Sequence, residues 1–132
     1  MSVTTIAARG AALAFAVLAT LVVAQAARAN PVATANVEME VFAETQRIAP
    51  GETIWLAVRQ TIREGWHTYW RNPGDAGQGT EFNWRLPEGL TAGEIHWPAP
   101  ERIREGPVTV YGYHDTPVFL VPLYPDDGFV GA

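Results

Sequence analysis

From Asn36 onward, apolar and polar residues alternate. Val37, Met39, Val41 and Ala43 fall on one side of the alternation, with Glu38, Glu40 and Glu44 mostly on the other, the pattern of a half-buried strand. Pro50-Gly51 marks a turn, after which Ile54, Leu56 and Val58 alternate with Trp55, Ala57 and Arg59. Trp66, Thr68 and Trp70 against His67 and Tyr69 predict a third strand. Phe82, Trp84 and Leu86 predict a fourth, stopped at Pro87-Glu88-Gly89. Ile95 and Trp97 predict a fifth, stopped by Pro98 and Pro100. Val108 to Tyr113 and Pro117 to Tyr124 complete the series, the latter with Val118, Leu120 and Pro122 on one face and Phe119, Val121 and Leu123 on the other. Helical spacing with caps is absent from this region. Seven short strands separated by turn signals predict an all-β, two-sheet sandwich of immunoglobulin-like type. The last strand is followed only by "PDDGFVGA", so the sandwich is expected to be incomplete at its C-terminal end.

The first residues follow a different rule. Arg9 supplies a positive start, Ala11 to Ala24 is an uncharged apolar run, and Ala27-Arg28-Ala29 has the small-x-small form of a cleavage site. The run is shorter than the roughly 20 residues that cross a bilayer as a helix. Residues 1–29 are therefore expected to be a signal peptide, and residues 30–132 an exported, periplasmic domain.

Composition narrows the chemistry. Without Arg9 and Arg28, 7 arginines stand against 14 acids, a net charge of −7, which disfavours nucleic acid and anionic lipid as partners. The chain has no cysteine and no lysine, and its one serine, Ser2, lies in the leader. Serine and cysteine nucleophiles, a P-loop lysine, a Schiff base and a thiolate metal site are excluded in this chain. No disulfide is available, so the fold rests on packing or on a partner.

The densest cluster of notable residues is "GWHTYWRNPGDAGQG", residues 65–79. Its glycines, Gly74, Gly77 and Gly79, run in the reverse order of a dinucleotide fingerprint and no helix follows, so a phosphate cradle is not indicated. Alternation sends Trp66 and Trp70 to one face and Tyr69 to the other, against a single aromatic platform for sugars. His67, His96 and His114 lie on three different segments, with neither an H-x-H pair nor a cysteine to join them, and no metal is expected. Glu101 and Glu105 sit with Arg102 and Arg104 in what the flanking prolines predict to be a loop of solvated charges.

The succession "PGETIWLAVR", "EGWHTYWRNPGDAGQGTEFNWRLPEGL", "IHWPAPERI" and "VYGYHDTPVFLVPL" resembles the N-terminal periplasmic domain of the thiol:disulfide interchange protein DsbD, particularly its ScsB-type relatives, over about residues 36 to 124. The residues carrying the likeness are Trp66, His67, Tyr69, Trp70, Asn72, Pro73, Gly74 and Asp75, followed by Trp97, Pro98 and Pro100. The resemblance implies a sandwich that receives electrons from a membrane electron-transfer domain through a thioredoxin-like domain. A cysteine pair of the sandwich then passes them by thiol-disulfide exchange to periplasmic thiol-disulfide proteins, with no small-molecule cofactor. Here the pair is missing, and the matching place would lie past Ala132. Val110, Tyr111 and Gly112 fall where the family has a cap loop over its disulfide, with Val110 in place of the shielding Phe. The alternative is a free-standing, cysteine-free binding module for protein or carbohydrate.

Overall fold

The computed structural model describes residues 27–28 and 31–130; the predicted leader lies almost wholly outside them. The strands in chain order are β1 (Ala27–Arg28), β2 (Val32–Ala33), β3 (Val37–Ala43), β4 (Ile54–Ile62), β5 (Thr68–Gly74), β6 (Leu90–Ala92), β7 (Glu101–Glu105), β8 (Val108–Tyr113) and β9 (Val118–Pro125). No helix occurs among the described residues. One antiparallel sheet runs β1-β3-β4-β9-β6, with β2 also paired to β3; the other runs β5-β8-β7.

Alternation along β4 and β9 builds the core. Ile54, Leu56, Val58 and Ile62 are buried on β4, and Phe119, Val121 and Leu123 on β9. Val58 pairs with Phe119 and Leu56 with Val121, so the buried rows of the two strands lie side by side. Gln60 occupies the same inward row at 3% exposure. Its side-chain oxygen accepts a hydrogen bond from the Thr68 hydroxyl at 2.8 Å, which satisfies the group and links the two sheets. Tyr113, from the three-stranded sheet, closes the sandwich over Phe119 with ring centroids 5.2 Å apart.

Three expectations need correction. Residues 81–86 form no strand, although Phe82, Trp84 and Leu86 do pack on the core and Phe82 meets Phe119 at 5.4 Å. Burial of the side chains, not a backbone ladder, holds this segment. The predicted strand at Ile95 and Trp97 is a single bridge, His96 to Leu120, because Pro98 and Pro100 have no N–H to extend it; the regular pairing lies earlier, in β6. Glu101–Glu105 is not a loop but β7, an outer strand paired with β8 over its whole length. Charges flanking Ile103 suit such a position, since they discourage a further strand from adding there.

β9 is flanked on both sides, by β4 and by β6. Beyond it, the Asp126 N–H donates to the Gly89 carbonyl at 2.8 Å and Phe129 is buried, at 6% exposure.

Candidate functional site

The residues of the 65–79 block serve several purposes. Trp70 packs against the core and its ring lies 6.4 Å from that of Tyr111, with the Arg71 guanidinium 5.3 Å from its own centroid. Trp66 precedes β5 and is 50% exposed, so the expectation that it shares a face with Trp70 fails; the Arg63–Trp66 turn holds it outside the strand. Between Tyr69 and Gly74 the pairing with β8 shifts register, and Asn72 and Pro73 fall in that irregularity. Asp75 fastens its far end: the Asp75 N–H donates to the Thr109 carbonyl at 3.0 Å, and its carboxylate accepts from the Thr109 N–H at 2.8 Å. The Thr80 hydroxyl donates to the Tyr69 carbonyl at 2.6 Å and closes the loop. Gly77, with φ of +88°, lets the chain lie against Tyr69, where a Cβ would come within 2.4 Å of the ring.

Trp97 and Pro98 anchor the next segment. Trp97 meets the Phe119 ring edge-on at 5.5 Å, and the Pro98 carbonyl accepts a hydrogen bond from the Tyr113 hydroxyl at 2.9 Å. Burial pushes the Tyr113 phenol up to about 12, against a smaller downward pull from Arg71. Trp70, Arg71, Glu94, His96, Trp97 and Pro100 contribute to a groove of about 430 Å³. The Trp70 indole N–H is buried there without a hydrogen-bond partner.

A second cleft forms on the opposite face of the three-stranded sheet. Register places Tyr69, Gly112 and Glu101 side by side, facing away from the core that Tyr113 enters. Gly112 is required here, because a Cβ would lie 2.0 Å from the Thr68 carbonyl oxygen. His67 meets Tyr69 at 5.0 Å and His114 at 5.9 Å, ring centroid to ring centroid. Glu101 pairs with His114 Nδ1 at 2.9 Å, and Glu105 approaches His67 Nε2 at 3.4 Å without hydrogen-bond geometry. His67, placed by sequence among scattered histidines, and Glu101 and Glu105, placed among solvated charges, thus share one face. The clue was the period-two spacing Glu101, Ile103, Glu105, masked by the neighbouring prolines. His96 is elsewhere, edge-on to Trp55 at 5.0 Å.

Val110, Tyr111 and Gly112 are consecutive residues of β8, the central strand of its sheet. Val110 is fully buried and Tyr111 is 36% exposed. Among the described residues, no three His, Cys, Asp or Glu side chains converge as metal ligands.

The ScsB N-terminal periplasmic domain of Proteus mirabilis, a solved structure, matches with a TM-score of 0.61 at 22% identity, covering 79% of this chain and 41% of that one. At that identity the likeness concerns the fold, an immunoglobulin-like β-sandwich, and this chain spans less than half of that structure. No curated protein matches. The family model described as thiol:disulfide interchange protein DsbD, N-terminal, matches residues 28–130, nearly the whole described region. The chain belongs to the DsbD N-terminal domain family.

Proposed function

We propose that this chain is part of the periplasmic domain of a DsbD- or ScsB-like disulfide reductase, framing a redox site whose cysteines lie outside these residues. The observation that carries the reading is the family match over residues 28–130 in a chain with no cysteine. In the exchange, one thiolate of a reduced cysteine pair attacks the partner's disulfide and forms a mixed disulfide. The second thiolate attacks that bond, so the pair is oxidised, the partner leaves as a dithiol, and two electrons have moved. The sandwich contributes a rigid mount and a surface for periplasmic thiol-disulfide partners. Export to the periplasm through a cleaved signal peptide at residues 1–29 is part of the same proposal.

The coding sequence past the Ala132 codon tests it. An open frame running into a closely spaced cysteine pair supports the reading. A stop codon there, or a continuation without cysteines, overturns it and leaves a cysteine-free binding module. One observation favours that second reading: Trp66 stands exposed beside a cleft. A sugar platform gains less support, because Trp70, Trp84 and Trp97 pack against the core.

A further inference from the structure

The geometry points to a binding site for an organic cation, an ammonium or guanidinium group, in the cleft formed by Gly65, Trp66, His67, Tyr69 and Glu105. The inference is independent of the redox reading.

The cleft has a volume of about 390 Å³, room for one cationic head group or the end of one long side chain. Three of its five lining residues are aromatic and a fourth is a carboxylate; no arginine lines it. Two other cavities differ in that respect: the Trp70 groove contains Arg71, and the other cleft bordering Trp66 contains Arg63. The cavity at Met39 and Trp84 has no arginine either and includes Glu81, but Met39, Val41 and Val58 give it an aliphatic side in place of a third aromatic wall.

Aromatic faces carry the negative part of the ring quadrupole, so rings arranged around a space attract a cation that is too weakly hydrated to prefer water. The His67 and Tyr69 rings stand at 86° to each other and form two different walls. Trp66 supplies a third, kept in solvent by the turn in which its N–H donates to the Arg63 carbonyl at 3.0 Å. A large indole left half exposed beside a cleft is the arrangement a ligand would cover. Glu105, with a side chain 41% exposed, supplies the opposite charge within reach of both the cleft and a ligand. The contact between Gly77 and the Tyr69 ring holds one wall in place before any ligand arrives, which lowers the ordering cost of binding. The chain's acidic balance adds a long-range attraction for cations.

The cation can come from a free small ammonium compound or from a protein side chain, and calorimetric titration of the whole chain separates the two. The probes are choline, N-acetyl-arginine amide, and 3,3-dimethylbutanol, the uncharged carbon analogue of choline. Saturable binding of choline alone assigns a free ammonium ligand. Binding of the arginine amide alone assigns a protein side chain, and binding of both assigns the shared cation chemistry. In each case the neutral analogue should bind roughly tenfold or more weakly, and Trp66→Ala and Glu105→Gln should each weaken the cation by about tenfold, with Trp66→Phe recovering part of the loss. Both positions are exposed, and unchanged melting temperatures would verify that the variants fold. Equal binding of the alcohol and choline, or no binding of either cation, overturns the proposal and leaves the disulfide-exchange reading untouched.

Discussion

The two sheets of the sandwich are built to different ends. The six-stranded sheet supplies Ile54, Leu56, Val58, Ile62, Phe119, Val121 and Leu123 to the core cluster, while the three-stranded sheet supplies Tyr113; its other buried apolar residue, Val110, shares the face of Gly112 and lies outside that cluster. In exchange, the smaller sheet carries His67, Tyr69, His114, Glu101 and Glu105 on its far face, with Trp66 beside them. One sheet carries most of the core and the other carries the cluster of histidines and carboxylates. Substitutions should therefore cost most where the core row is interrupted and least at the exposed rim.

Phe119→Ala should have the largest effect. The side chain has no exposure and meets Phe82, Trp97 and Tyr113, so truncation removes the contact shared by both sheets, the unpaired segment of Phe82 and the singly bridged segment of Trp97. A loss of about 3 to 5 kcal/mol is expected, enough to lower Tm by more than roughly 12 °C or to unfold the domain. Thermal denaturation followed by circular dichroism measures it. A shift of only a few degrees would mean that the sheets are stabilised separately.

Gly112→Ala tests the smaller sheet from within. The added methyl would meet the Thr68 carbonyl at 2.0 Å, a backbone atom that can yield only by moving β5 away from β8. A cost of roughly 1 to 3 kcal/mol is expected. Amide exchange should quicken at Thr68 and Tyr69 while β4 and β9 remain protected; uniform quickening would erase the distinction between the sheets.

How much of this division was legible in the sequence depends on what fixed each element. β4 and β9 were readable because one face is buried and the other much less so, and burial imposes period two. β3 was readable from its sequence alternation although it is half-buried almost throughout, and β8 from its apolar and aromatic run, with buried residues on both faces. Phe82, Trp84 and Leu86 show the same period but no pairing, since alternation reports which side chains point inward and is silent about a neighbouring backbone. β7 escaped because edge charges look like loop charges. The meeting of His67 with His114 and Glu105 could not be read from spacing at all: it depends on β5, β8 and β7 lying in that order, a long-range pairing.

Tyr113→Phe probes the seam between the sheets with a smaller change. It deletes the hydrogen bond to the Pro98 carbonyl, at a cost of about 1 kcal/mol near neutral pH. The variant should also change the response to alkali. With its folded pKa raised to about 12 from the ordinary tyrosine value of 10.0, Tyr113 stabilises the fold fully below pH 10 and loses that contribution as pH rises through 12. Melting temperatures measured across this window should fall more steeply for the native chain than for the variant. Parallel curves would show that another group governs alkaline unfolding.

Trp66→Ala should cost least, below about 0.5 kcal/mol, although it removes the largest kind of side chain. Exposure decides this: at 50% accessible, Trp66 leaves half of its surface in water in the folded state, so its deletion removes far less buried contact than that of Phe119, which has no exposure. The contrast with Phe119 is thus one of position, not of residue type. Acrylamide quenching supplies the measurement, because Trp55, Trp70, Trp84 and Trp97 are all at least partly buried and should contribute less to the accessible emission. Deleting Trp66 should remove much of the quenchable fraction while leaving Tm nearly unchanged. A large drop in Tm would place this indole in the packing of the three-stranded sheet and erase the contrast with Phe119.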